Sequence, residues 1–485
     1  MSTIALNLTA GAATTRHSAA RGAWVGFAVV VVSAVMDLLD STIAQTAAPD
    51  IRRQLVVSYA DLEWISAAYT LSMSALMILG SRLGDILGRR RILLGSIGGF
   101  VVTSALCAVA PSAVTLIGAR VLQGAMAAMM VPQGFGLIRE LFGEEGQQRA
   151  FGIFGPIMGL AAVLGPLAGG GLIALNVFGV GWRAIFLINV PIGLLALLVG
   201  LRHLPDNPPA TPHARLDLPS VALVAAGGFA LVYPLIEGRQ QGWPAWSFAL
   251  LGGGLLIIGA FALRQAARVR RGHAPLIEPS ILKRRPYVAG LAVALGFLGA
   301  MGGLTLALNV MFQTGLGFTP LQSGLAAVSI PVFAIAGSIT SSILLPRIGR
   351  TTMHIGLAVM AIGLGVVIAV LHAAGGGLSA WDTAGPLALT GFGMGMVFVP
   401  MFDVILAGVA PHELGSASGL LESVQQLAMS LGIAGVGTVL FGQVGLAHGA
   451  TSFVSASADA LLVAVCLLIA AWAATWWLPK HARGG

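Results

Sequence analysis

Apolar stretches of about twenty residues recur along this 485-residue chain, each closed by a short polar segment. About twenty residues is the length at which an α-helix crosses the hydrocarbon core of a bilayer, so each stretch predicts a transmembrane helix. Fourteen such stretches are present. Six lie at 24–46, 62–81, 92–110, 113–137, 151–174 and 184–201, and two at 218–236 and 245–263. The last six lie at 287–311, 322–345, 353–372, 385–409, 415–442 and 458–478. A polar, Pro-rich segment, "RHLPDNPPATPHARLD", separates the sixth from the seventh. A basic loop with Arg264, Arg268, Arg270, Arg271, Lys283, Arg284 and Arg285 follows the eighth.

The basic residues set an expected orientation. If the N-terminus is cytoplasmic and every stretch crosses, all but five of the 26 Lys and Arg fall on the cytoplasmic side. Arg52, Arg53, Arg183 and Arg239 fall outside, and Arg120 lies within a span. Cytoplasmic loops carry an excess of Lys and Arg, so N-in, C-in topology is expected. An inserted pair of helices returns the chain to the side it left, so both six-helix blocks keep one orientation. The expected fold is an all-α polytopic membrane protein with 14 transmembrane helices, two six-helix bundles and an inserted helix pair. Its parts are a cytoplasmic tail (1–22), the N-terminal bundle (23–201), a cytoplasmic linker (202–217) and the inserted pair (218–263). A basic cytoplasmic loop (264–286), the C-terminal bundle (287–478) and a cytoplasmic tail (479–485) complete it. Two halves with a site between them at mid-membrane is a recurring plan of secondary transporters. No repeat is visible between the halves, so the pseudo-symmetry rests on the number of spans.

Composition removes the alternatives. The chain is 57% hydrophobic and 9% charged, with a mean hydropathy of +0.91. A soluble domain carries roughly 25% charged residues, and even one with a large core needs a charged surface. The net charge of +8 does not indicate nucleic acid, because the basic residues sit in short loops between apolar segments. The lipid bilayer is the partner this pattern implies. Cys107 and Cys466 both lie in apolar segments, which speaks against a disulfide framework. The first apolar run is too long for a signal-peptide core and reads as an uncleaved span. Only Lys283 and Lys480 are lysines among 26 basic residues; with the richness in Ala and Gly, this points to a bacterial genome and a bacterial cytoplasmic membrane. The phosphate-binding pattern Gly-x4-Gly-Lys-Ser/Thr is absent, as are a His-Glu-x-x-His pair and a Cys–His cluster. Gly415 to Gly419 carries Ala417 where a nucleophile elbow needs serine. Neither an enzyme, a cofactor nor a metal is expected.

The chemistry therefore lies in the polar residues inside the spans. Asp37 and Asp40 sit three residues apart in the first, and Ser41 and Gln45 continue their face. A charge at the bilayer centre costs roughly 3 kcal/mol on insertion scales, so such residues usually face a protein interior and mark a pathway. A buried carboxyl, with a second acid nearby, is suited to take up a proton on one side and lose it on the other. Either acid can be the carrier, and an acid at the membrane edge would do neither. Arg120, with Gln123 one turn on, needs an acid, carbonyls or water as its counterpart. It serves either as counter-charge to an aspartate or as a hydrogen-bond hub. Asp403 lies in the twelfth span; Glu422, Gln425, Gln426 and Met429 share one face of the thirteenth. These residues, with Gln45 and Gln123, are candidates for a substrate cavity or a second proton site. Gly165, Gly169 and Gly170 permit close helix approach, and Pro166 permits a kink.

The loop after the second span reads "GSRLGDILGRRR". It resembles the cytoplasmic loop signature of the major facilitator superfamily, with Ser81 at the family's first glycine and Arg82, Asp85, Gly88, Arg89 and Arg90 in register. A sharp turn is expected at Gly84 and Gly88, with the acid paired among arginines. "LIGARVLQGAMAA" (116–128) resembles the family's fourth-span signature, and "GPLAGG" (165–170) the fifth-span signature of exporters. "LLDSTIAQTAAP" (38–49), "GWRAIFLINVPIG" (181–193) and "GSASGLLESVQQLAMSLGIAGVGTVL" (415–440) resemble stretches of the fourteen-span drug:proton antiporter group. In the first of these Gln45 replaces a more usual asparagine. The resemblance implies a monomeric, proton-coupled exporter of amphipathic, drug- or antibiotic-like small molecules. It implies proton coupling through Asp40 and Arg120 and gating at the 80–91 loop. The alternative is a proton-coupled exporter or importer of a specific metabolite.

Overall fold

The computed structural model describes residues 2–142, 144–176, 179–206, 209, 216–273, 275–374, 379–406, 409, 414–444 and 450–479. The side chains of residues 2–21 and of some helical residues, Pro166 and Asp403 among them, lie outside that description. Among the described residues every regular element is helical. In chain order the long helices are α1 Ser2–Thr46, α2 Tyr59–Leu87, α3 Arg89–Val109, α4 Ala113–Leu141 and α5 Glu144–Leu175. They continue as α6 Asn189–His203, α7 Leu218–Gln240, α8 Ala245–Arg270, α9 Arg285–Val310 and α10 Ser329–Ile348. The last are α11 Thr351–Ala374, α12 Ala380–Leu406, α13 Leu414–Val444 and α14 Ala450–Ala474.

Each apolar stretch of the sequence falls on one of these helices. Thirteen segments among the described residues are long and apolar enough to cross a membrane; α5 is a further helix of 32 residues. Their starts are written locally. Ser58 caps α2 in a reciprocal box with Asp61, and Ser112 caps α4 in the same way with Thr115. Helices overrun the apolar windows, because polar residues end a hydropathy window without ending the backbone ladder. Two stretches are jointed. The sixth begins with short turns at Gly181–Arg183 and Ala184–Leu187, and the tenth begins with the helix Pro320–Ala327. The expected turn at Gly84 does not exist. Helix α2 runs through it to Leu87, and the chain reverses at Gly88, whose φ of 94° favours glycine.

Two apolar clusters dominate. One joins α1 to α6 around Met36, Tyr69, Phe100 and Leu137. The other joins α9 to α14 around Phe297, Met360, Val397 and Leu468. They meet where α2 packs along α13. The Tyr59 and Phe441 rings stack at 4.4 Å near one end, and Ser74 Oγ donates to the Ser423 carbonyl at 2.8 Å further along. Helix α7 lies over this seam: Val232 and Ile236 pack with Ala60, Ala67 and Ala434. Arg239 of α7 enters between the two, donating to Glu63 Oε1 and to the Gly437 carbonyl, both at 2.7 Å. The seam's other flank is set by glycine. A Cβ on Gly170 of α5 would stand 2.7 Å from backbone atoms of Pro320 and Leu321. Large apolar side chains such as Leu256, Leu263, Ile339 and Trp477 face outward, which only a lipid surround makes favourable.

Candidate functional site

Helices α1 and α4 bring Asp40 and Arg120 into direct contact at the centre of the N-terminal half. Asp40 is 2% exposed and Arg120 1%. The pair is an ion pair through Arg120 Nη1 and Asp40 Oδ2. Its remaining valences are filled. Asp40 Oδ1 accepts from Gln123 Nε2 at 2.8 Å and from Asn189 Nδ2 at 2.9 Å. Arg120 donates from Nε to the Ile65 carbonyl at 3.1 Å and from Nη1 to Gln123 Oε1 at 2.7 Å. Gln123 Nε2 also reaches Ser104 Oγ at 2.9 Å. Three helices thus meet at one carboxylate, and the bonds to Ile65 and Ser104 bring in α2 and α3, which is how a charge pair survives away from water.

Asp37 stands one turn earlier on α1 and is only half-buried. Its Oδ1 accepts from the Tyr69 hydroxyl of α2. The Tyr69 ring lies under the Arg120 guanidinium, 4.1 Å from its carbon, so one side chain touches both Asp37 and the partner of Asp40. Glu422 of α13 is partly buried. Gln425 and Gln426 are partly buried on α13, and Gln425 Nε2 has no hydrogen-bond partner among the described residues. Gln123 is not beside them: it is fully buried inside the ion-pair network. Gln45 lies further along α1 and lines a separate cavity. The Asp403 side chain lies outside the described residues.

The 80–91 segment forms a cross-braced corner. Ser81, Arg82 and Asp85 occupy the last turns of α2, Gly88 makes the turn, and Arg89 and Arg90 open α3. Arg89 bonds Asp85 at 2.9 Å and Glu140 of α4 at 3.2 Å. Arg90 pairs with Asp206 and donates to the Leu201 carbonyl at 2.8 Å. Arg82 reaches the Pro275 carbonyl at 3.1 Å. In α5, Gly165 and Gly169 face Thr42 and Ile43 of α1, while Gly170 faces the helix at Pro320; nothing is described of the Pro166 side chain.

Sequence reasoning missed Tyr69, Ser104 and Asn189, which complete the acid's surroundings, and Glu63 with Arg239. Asn189 had a signal, being an amide in an otherwise apolar span. The Glu63–Arg239 pair had none, since its partners are 176 residues apart.

The profile described as Major Facilitator Superfamily matches residues 30–433. The chain is 41% identical over 423 residues to a "Probable actinorhodin transporter" of Streptomyces coelicolor, covering 87% of this chain and 73% of that protein. It is 33% identical to a "Tetracenomycin C resistance and export protein" of Streptomyces glaucescens, covering 92% and 81%. It is 30% identical to the "Multidrug efflux pump LfrA" of Mycolicibacterium smegmatis, covering 86% and 81%. Among solved structures, an inward-facing bacterial homologue of the human lysosomal transporter Spinster superposes with a TM-score of 0.64 at 15% identity, covering 96% and 99%. That likeness concerns the fold alone. With the profile match, these bacterial relatives and thirteen membrane-length helical segments, the chain is a multi-pass protein of a bacterial plasma membrane and belongs to the Major Facilitator Superfamily.

Proposed function

We propose that the protein is a proton-driven exporter of amphipathic, antibiotic-like molecules, working as a monomer of 14 spans with both termini in the cytoplasm. Helix α5 is the fourteenth span, and two six-helix bundles alternate around the seam, with α7 and α8 inserted between them. The names of the relatives support the cargo class, and the excess of Arg on one side supports the orientation. One inward proton supplies about 2.3 kcal/mol per 100 mV and about 1.36 kcal/mol per pH unit, enough for a gradient of tens-fold or more.

The observation that carries the reading is the unequal footing of the two acids. Asp40 already receives Arg120, Gln123 and Asn189 and has no free face for a proton. Asp37 accepts one hydrogen bond among the described residues, from Tyr69, and is only half-buried. Asp37 is therefore the proton carrier, and Asp40 with Arg120 is the fixed pair against which it works. Protonating Asp37 weakens the charge-assisted bond from Tyr69 and frees its ring on Arg120. The next residue on α2, Thr70, is hydrogen-bonded to Ser430 of α13, so the change reaches the seam between the halves. Glu422, Gln425 and Gln426 offer polar contacts to a substrate at that seam. The braced corner at Asp85, Arg89 and Arg90 holds the cytoplasmic side through each cycle.

The test is proton movement in everted membrane vesicles, read by a quenched pH probe. Wild-type protein dequenches the probe when a transported compound is added. Asp37→Asn abolishes dequenching yet retains substrate counterflow, which needs no net proton transfer; Asp40→Asn loses both. Normal dequenching in Asp37→Asn removes the carrier assignment.

A further inference from the structure

The lobe beyond the ion-pair network holds a cavity that the coupling chemistry does not use. Its volume is about 380 Å³, within the usual range of roughly 300–1,000 Å³ for small-molecule sites. Gln45, at its inner wall, lies five residues past Asp40, about 7.5 Å further along α1. Both halves build it. The N-terminal half contributes Gln45, Arg52, Arg53 and Tyr59; the C-terminal half contributes Asn309, Gln313 and Phe441. Gln313 sits in a π-helical turn, Met311–Gly315, a distortion frequent at functional sites, and straps the halves by donating to the Thr46 carbonyl at 2.9 Å.

Three features define what would fit. The lining includes two arginines and no Asp or Glu. Arg53 is tied to Asp50, but Arg52 Nε is buried with no hydrogen-bond partner among the described residues. Gln45, 6% exposed, has an Oε1 that likewise accepts from no described group. A donor and an acceptor thus stand unused on the N-terminal half's wall, seven residues apart in the chain. The Tyr59 ring is held between Phe441, stacked on one face at 4.4 Å, and the Arg52 guanidinium, 4.0 Å over the ring, and the apolar lining continues through Leu62, Leu306, Val310 and Phe318.

We propose that this cavity is an exit-side binding site for a planar, hydroxylated aromatic anion. The anionic group meets Arg52, the hydroxyl donates to Gln45 Oε1, and the ring system lies among the apolar lining side chains Leu62, Leu306, Val310 and Phe318. This deepens the exporter reading and rests on it for direction: in the N-in orientation the cavity lies on the outer side, where cargo leaves. Because both bundles form the walls, the site exists only while they are closed on this side.

The experiment uses the purified full-length protein in detergent and four fluorescent probes of one ring system: hydroxynaphthoate, its neutral amide, a trimethylammonium analogue and plain naphthoate. The acid binds about tenfold tighter than the amide, as one charge-assisted contact provides, and the cation binds weakest. Arg52→Gln removes the preference while leaving the amide within about twofold. Arg53→Gln, already neutralised by Asp50, does less. Gln45→Leu weakens hydroxynaphthoate and not plain naphthoate. Equal affinities, a preference for the cation, no binding of the acid, or a preference that survives Arg52→Gln each overturns the proposal. Proton movement in vesicles separates the two readings. If it fails while the binding pattern holds, export falls and the site stands; if it persists without anion preference, this inference alone falls.

Discussion

Replacing Asp40 by alanine leaves Arg120 charged, 1% exposed and without its carboxylate. Breaking a buried ion pair from one side costs about 3–5 kcal/mol, because the surviving charge is stranded. Asn189 Nδ2 loses its acceptor as well, adding about 1–3 kcal/mol, whereas Gln123 Nε2 keeps Ser104 at 2.9 Å. Asp40→Ala should therefore destabilise by about 4 kcal/mol or more. Arg120→Met, which strands Asp40 instead, should cost about 3–5 kcal/mol, softened by the two amides that remain on the carboxylate. The double variant strands no charge. Its cost should be no greater than that of either single change, a coupling of about 4 kcal/mol or more. The assay is tryptophan fluorescence during SDS titration in mixed micelles, for all four proteins of the cycle. If the two single costs simply add, the pair does not act as a pair and the argument that Asp40 is the fixed partner collapses.

Three further outcomes are expected. Gly170→Val puts side-chain atoms where Pro320 and Leu321 backbone atoms stand, so the outer contact of α5 should open; a cysteine at Thr319 should react faster with a membrane-impermeant thiol reagent, and an unchanged rate would contradict the packing argument. Arg239→Ala strands Glu63, 0% exposed, and should cost about 3–5 kcal/mol, most of it recovered by adding Glu63→Gln; no recovery would mean that Arg239 acts through the Gly437 carbonyl instead. Asp217, at the start of α7, is the third case. Burial works to raise its carboxyl, but hydrogen bonds from Ser220 and Arg264 and the Arg268 charge outweigh this and hold it below its ordinary value of 3.8. A carboxyl depressed on folding stabilises above its unfolded pKa and loses that contribution as pH falls through the folded value. The stability gap between wild type and Asp217→Asn should be fully open at about pH 7 and shrink progressively as pH falls below the ordinary value of 3.8, and a gap independent of pH would refute the assignment.

The helices were legible because a bilayer demands long apolar runs, and nothing else in the chain imitates them. Asp37, Asp40 and Arg120 were legible for the converse reason: a charge in such a run is too costly to be idle. Which partner each acid takes was not. Asp40 and Asn189 are separated by 149 residues, and only the packing of α6 on α1 brings the amide to the carboxylate. Gln123 misled for the same reason, since its helix face admits either a cavity or the network. Gly84 was mistaken for a turn because glycine marks both sharp reversals and close approaches; here Gln133 Oε1 of α4 occupies the place a Cβ would need.

Helix α7 makes the two edges of the molecule unequal towards lipid. It touches α2 and α13 together and lays Val232, Leu235 and Ile236 along their junction, closing that edge to the bilayer. Opposite it, α5 packs against the short helix Pro320–Ala327 and α10, with Gly170 letting the backbones approach closely. The two lateral edges of the seam are therefore closed by different means, a whole helix laid over one and a close backbone approach at the other.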